Sequence, residues 1–119
     1  MTLYTKSIKA KRSDEDGIRI CVMRRIRPYY QFDIWVPALA PSEELLTSYQ
    51  RKRISWDEYE ERYRGVLETQ RNIVEAIGEM AASRNVTLLC TEATPEKCHR
   101  RLLAEECRRY HRKLKVVLK

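Results

Sequence analysis

The sequence is short of the residues that turn a chain. Of 119 residues only three are Gly and four are Pro, too few for an all-β fold with its many tight turns. No apolar stretch approaches the roughly 20 residues of a membrane helix. No basic stretch followed by an apolar block marks a secretory leader. These absences exclude a membrane partner and point to a soluble, cytoplasmic protein. Internal repeats, low-complexity segments and recognised DNA- or RNA-binding motifs are also missing.

What remains is enough for one modest core. Hydrophobic residues make up 43% of the chain, which rules out wholesale disorder, and the length fits a single domain over residues 1–119. Charged residues reach 34%, above the roughly 25% usual for soluble domains. The net charge of +7 is unevenly placed: residues 1–30 carry +5, residues 31–92 carry −4 and residues 93–119 carry +6. If the basic ends form neighbouring strands, their fields converge where an anionic ligand is favoured. The plainer reading is a solvated, charge-rich surface of the kind heat-adapted proteins carry.

Residues 2–9 and 18–23 read as strands, separated by the polar loop 10–17 that ends in Gly17. Residues 24–41 lack a clean period and read as a long irregular connection. Ser42, followed by Glu43 and Glu44, caps a first helix. Ser55-Trp56-Asp57-Glu58 is a capping box. The apolar spacing from Trp56 to Ala81 then predicts one long helix over 55–83, weakened at Gly65 and Gly78. Residues 86–90 (VTLLC) are apolar without alternation, as a central strand covered on both faces should be. Thr94-Pro95-Glu96 opens a helix over 95–112, and residues 114–118 close the chain as a strand. The last three elements form a βαβ unit. The expected fold is therefore α/β: a three-layer domain with a small, mainly parallel sheet of about four strands and helices on both faces. The loop between the first two strands is short for a parallel crossover, which favours an antiparallel first strand and leaves a parallel one open.

Reactive side chains concentrate at one place: Cys90, Glu92, Cys98, His99 and Arg100 follow the order strand end, short loop, helix start. Ligands of parallel sheets bind beyond the carboxyl ends of the strands, and helix N-termini attract anions. Arg24, Arg25 and Arg27 leave the end of the second strand towards the same edge. The expected site therefore joins Arg24, Arg27, Cys90, Glu92, Cys98, His99 and Arg100 around an oxyanion or phosphate, with the backbone of 95–98 contributing. The alternative is that the thiols pack in the core and the arginines pair with nearby acids. No metal or other cofactor is expected: the spacing from Cys90 to Cys98 and His99 matches no common zinc motif. Adjacent residues on a helix also point about 100° apart. A nucleophilic thiol would need a lowered pKa, and Glu96 stands where a phosphatase-type loop would place arginine. Cys90 and Cys98 are the only pair a disulfide could join, and without a secretory signal the reduced state is the default. A second functional reading is a non-catalytic nucleic-acid or protein-binding module that uses the basic face, with Tyr29, Tyr30 and Phe32 among its arginines. No reaction and no oligomeric state follows from the residues.

The stretch 86–106 resembles the C-terminal signature of the family known as domain of unknown function 488. In that signature a strand ends in Leu-Leu-Cys-x-Glu and a helix opens with Pro-x-x-Cys-His-Arg. The matching residues are Leu88, Leu89, Cys90, Glu92, Pro95, Cys98, His99 and Arg100. Asp16-Gly17, Trp35, Leu39 to Leu45, Trp56 and Tyr59 to Tyr63 resemble its shorter, YeaO-like branch. The resemblance implies an α/β domain and no agreed activity. The family often ends its second strand with an acidic residue and an arginine. Here Val22 stands at the acidic position, while Arg24, Arg27 and Pro28 approximate the basic part, so an acid–base role does not carry over.

Overall fold

The computed structural model describes residues 1–92 and 97–119. In chain order the elements are β1 (Thr2–Ser7), β2 (Ile18–Cys21), β3 (Ile34–Trp35), α1 (Glu43–Gln50), α2 (Trp56–Thr69), α3 (Arg71–Ser83), β4 (Val86–Cys90), α4 (His99–Tyr110) and β5 (Lys115–Leu118). The strands form one sheet in the order β3-β2-β4-β1-β5, and every pairing is parallel. The single parallel-sheet α/β domain is as the sequence implies. β4 lies at the centre with all five residues buried, which is why it reads as an unbroken apolar run.

Four features differ from the sequence reading. The sheet has five strands, because Ile34 and Trp35 pair with Ile20 and Cys21 inside the segment read as irregular. The first strand is parallel, not antiparallel. Its crossover to β2 passes β4, which pairs with both strands. The predicted helix 55–83 is two helices that meet at Gln70, whose φ of −114° and ψ of 27° leave the helical region. Just before the break Thr69 Oγ1 donates to the Val66 carbonyl at 2.6 Å, a local bond that competes with helix continuation. The predicted start of the last helix at Thr94-Pro95-Glu96 lies outside the described residues, and α4 runs from His99.

The fourth difference concerns the layers. Leu3, Ile20, Val22, Val86 and Leu88 share one cluster with Leu45 of α1, Tyr63 and Leu67 of α2, Val74 and Ile77 of α3, and Leu102 and Leu103 of α4. These strand residues alternate with Thr87, Leu89, Arg19 and Cys21, so the helices pack on one face of the sheet. Among the described residues the other face is covered by connections instead of α-helices. Ile8, Cys21 and Leu89 pack there against Met23, Tyr30 and Phe32.

Beside that apolar patch sits a buried ionic cluster. Arg19 donates to Asp16 Oδ2 at 2.6 Å and to the Gln31 carbonyl at 3.0 Å, while Lys6 Nζ lies 3.0 Å from Asp16 Oδ1. The Asp16 carbonyl accepts from Thr87 Oγ1 at 2.7 Å, fixing residues 8–17 to β4. Gly17 follows with a φ of +62°, and a Cβ there would collide with the Asn85 carbonyl.

Two outcomes are expected. Burial raises the Asp16 carboxyl, but hydrogen bonds from the Ser13 backbone, Lys6, Arg19 and the Ser13 hydroxyl outweigh it and hold the group at about 2, against an ordinary 3.8. A depressed folded value stabilises fully above about pH 4, and this contribution, on the order of 2 kcal/mol, drains away as the pH falls towards 2. Asp16→Asn should cost about 3–5 kcal/mol at pH 7, because it strands the buried Arg19, and should flatten that part of the acid unfolding curve followed by circular dichroism. Gly17→Ala should cost about 2 kcal/mol or more in urea unfolding.

Candidate functional site

β4 ends at Cys90, and α4 begins at His99 with Cys98 as its cap residue. Cys98 has a φ of −136° and a ψ of 143°, so it is extended where His99 is helical. The 100° rule for neighbours on a helix therefore does not apply. Cys90, Cys98 and His99 bring their ligand atoms within 4.8 Å of one another. The sulfurs of Cys90 and Cys98 are paired, with Cα atoms 7.9 Å apart, unlike the reduced default of the sequence reading. Glu92 Oε2 lies 3.4 Å from Cys90 Sγ and 3.7 Å from Cys98 Sγ.

Arg100 is fully buried. Its Nη1 donates to Cys90 Sγ at 3.0 Å and to the Glu92 carbonyl at 2.7 Å, and its Nη2 to the Lys119 carbonyl at 3.0 Å. The guanidinium thus ties the end of β4 to the residue after β5, placing positive charge directly behind the sulfurs. Burial raises the Cys21 thiol, and burial with the nearby Glu106 pushes Cys107 up to about 12. Those two behave as small hydrophobes.

His99 Nε2 lies 2.7 Å from the Val22 carbonyl. A carbonyl only accepts, so Nε2 carries the proton and Nδ1 keeps its lone pair, 3.9 Å from Cys98 Sγ. Burial pushes the imidazole below its ordinary pKa, the Val22 bond opposing. A neutral ring with its N–H already engaged holds no anion by charge. The ring stands edge-on to Tyr63 at 5.6 Å between centroids, and Tyr63 in turn donates to the Leu39 carbonyl at 2.6 Å.

Next to the sulfurs opens a cavity of about 200 Å³ lined by Met23, Arg24, Arg25, Ala40, Pro41, Glu43, Leu46, Thr91, Glu92 and His99. It lies beyond the carboxyl ends of β2 and β4. Arg24 is held by its Nε donating to the Pro41 carbonyl at 3.1 Å, and Arg25 pairs with Glu43 at the rim. The structure brings six of the seven predicted residues to this edge in two groups. Arg24, Glu92 and His99 line the cavity, whereas Cys90, Cys98 and Arg100 lie behind it. Arg27 does not line it and is exposed. Of the predicted backbone contacts at 95–98, residues 95 and 96 lie outside the described residues. The sequence placed Arg25 at this edge without counting it among the site residues, and it missed Thr91 and the carbonyl of Val22. Thr91 was signalled by adjacency to Cys90 and Glu92, the Val22 carbonyl by nothing local.

A family model described as the active DUF488-N3 subclade matches residues 3–111. The Cys-His-Arg signature falls within that span at Cys98, His99 and Arg100. No curated protein and no solved structure matches the chain.

Arg100→Lys tests how much the guanidinium fork contributes to holding this edge. Lysine cannot span the sulfur and both carbonyls. The variant should lose about 2–4 kcal/mol in urea unfolding, with its secondary structure retained in the far-ultraviolet spectrum.

Proposed function

The chain belongs to the active DUF488-N3 subclade, and we propose that it binds a small anionic ligand, phosphate-bearing in the first instance, at the carboxyl edge of its sheet. The observation that carries this reading is the convergence of Arg24, Arg25 and Thr91 on one cavity of about 200 Å³, whose other walls are the apolar Met23, Ala40, Pro41 and Leu46 with Glu43, Glu92 and His99. Arginine and hydroxyl groups in a partly desolvated recess are the groups that recognise phosphoryl oxygens. The volume is below the roughly 300–1,000 Å³ of sites for drug-sized ligands, so the enclosed part of the ligand is small. Arg24 is the principal anion-holding group, because its bond to Pro41 already orients it. Glu92 supplies a carboxylate at the inner wall, and His99 a neutral surface.

The aromatic residues of a nucleic-acid interface are less available than the sequence suggests. Tyr30 and Phe32 pack against Ile8, Cys21 and Leu89, leaving Tyr29 exposed. That arrangement favours a recess for a small molecule over a stacking platform.

Inorganic phosphate and a nucleoside monophosphate should raise the melting temperature of the full chain, since binding to the folded state stabilises it. Arg24→Ala should weaken that binding about 10- to 100-fold, and Arg27→Ala should leave it unchanged. Equal binding by the Arg24 variant, or no shift with either anion, overturns the reading. Steeply salt-dependent binding of single-stranded nucleic acid in place of the small anions would do the same.

A further inference from the structure

We infer that Cys90, Cys98 and His99, with Glu92 completing the set, form a binding site for a zinc-class divalent metal in the reduced protein. Four ligands at about 2.0–2.3 Å round a tetrahedral ion stand about 3.4–3.8 Å from one another. Glu92 Oε2 already lies 3.4 Å and 3.7 Å from the two sulfurs, and His99 Nδ1 lies 3.9 Å from Cys98 Sγ. The ligands come from three places in the fold: the end of β4, the loop after it and the start of α4. Two sulfurs, an imidazole and one carboxylate suit a borderline-soft ion and disfavour Mg²⁺ or Ca²⁺.

Three further observations support the ion. The bond from His99 Nε2 to the Val22 carbonyl, 2.7 Å long, is the second-sphere contact that metal-bound histidines use to aim the free nitrogen. The Arg100 Nη1 group, 3.0 Å from Cys90 Sγ, offsets charge: two thiolates, one carboxylate and a divalent ion sum to −1, and the guanidinium brings the set to zero. The Cα atoms of Cys90 and Cys98 are 7.9 Å apart, a spacing that lets both side chains reach an ion held between them once the sulfurs are reduced.

The metal form requires the dithiol. Binding parts the two sulfurs and releases both thiol protons to water, so affinity rises with pH. The oxidised pair and the metal site are two states of the same sulfurs. A thiol-class reductant supplies the two electrons and two protons that separate them. This inference rests on sulfur and imidazole chemistry and does not depend on anion binding. Failure of the phosphate experiment leaves it standing, and the reverse also holds.

The test uses the full chain, reduced with a phosphine and freed of metal by chelation. Titration with Co²⁺ should give one bound ion per chain, with sulfur-to-metal charge-transfer bands and the visible bands of a tetrahedral site, and Zn²⁺ should displace it. Cys90→Ser and Cys98→Ser should each lose most of the charge-transfer intensity. In case these buried changes unfold the chain, His99→Gln and the exposed Glu92→Gln provide a second readout. His99→Gln should weaken Co²⁺ binding at least about tenfold, and Glu92→Gln should shift the visible bands. Absence of stoichiometric Co²⁺ or Zn²⁺ binding by the folded, reduced protein overturns the inference. So does binding without sulfur charge transfer, or with bands unchanged in both His99→Gln and Glu92→Gln.

Discussion

A parallel sheet admits crossovers of essentially one hand, and that constraint arranges the rest of this molecule. From β1 the chain steps towards one edge, to β2 and then to β3. From β3 it steps back towards the other edge, to β4 and then to β5. Steps in opposite directions made with the same hand must cross on opposite faces. The connections 8–17 and 22–33 accordingly lie on one face and the four helices on the other. At β4 the outgoing chain turns to the helical face, while its neighbours β1 and β2 send theirs to the opposite one. Loops that part in this way open a crevice at the carboxyl edge. The cavity and the cysteine pair both lie at that edge.

A face covered by irregular chain needs its polar groups satisfied one by one. Helices satisfy their own backbone and present apolar stripes. The connections here instead depend on Asp16, whose carboxylate accepts from Ser13, Lys6 and Arg19, and on Asp33, which accepts from the Arg19 backbone at 2.8 Å. Arg100 has the corresponding place on the helical side, where it donates to the Glu92 and Lys119 carbonyls and to the Cys90 sulfur. In both places an arginine buried to within 1% of complete enclosure replaces hydrophobic packing as the fastening. A buried charge is tolerable only when hydrogen-bond acceptors such as these surround it. These positions are correspondingly intolerant of the loss of one partner.

The sequence revealed what depends on neighbours along the chain. The capping serines at 42 and 55 begin helices as their side chains dictate, their Oγ atoms accepting from the Leu45 and Glu58 N–H groups at 3.0 Å and 3.1 Å. The closeness of Cys90 to Cys98 and His99 followed from the short loop between β4 and α4. Features set by distant partners were not legible. Two-residue β3 has no periodicity to detect. The one-sided helical layer follows from strand order, which no local pattern encodes. The extended backbone of Cys98, which turns its thiol and the His99 ring to one place, replaced a helical geometry that would have parted them. Val22 shows the limit most plainly: its side chain only fills the core, while its carbonyl orients a histidine 77 residues away.

The position of β1 has a consequence for how the chain acquires its structure. The first strand is inserted between the last two: Leu3 pairs with Val86 and with Val116, and Thr5 bonds Lys119 across 114 residues. Contacts of such separation are slow to form, because the loop entropy is lost before any pairing compensates for it. During synthesis β1 lacks its sheet partners until β4 and β5 have emerged. The segments able to organise early are the sequential helices α1 to α3, whose caps and aromatic contacts are local. Completion of the sheet is then a late, cooperative event, and the cysteine edge is complete only with it, since Ile8 beyond β1 donates to the Cys90 carbonyl and Arg100 to that of Lys119 beyond β5.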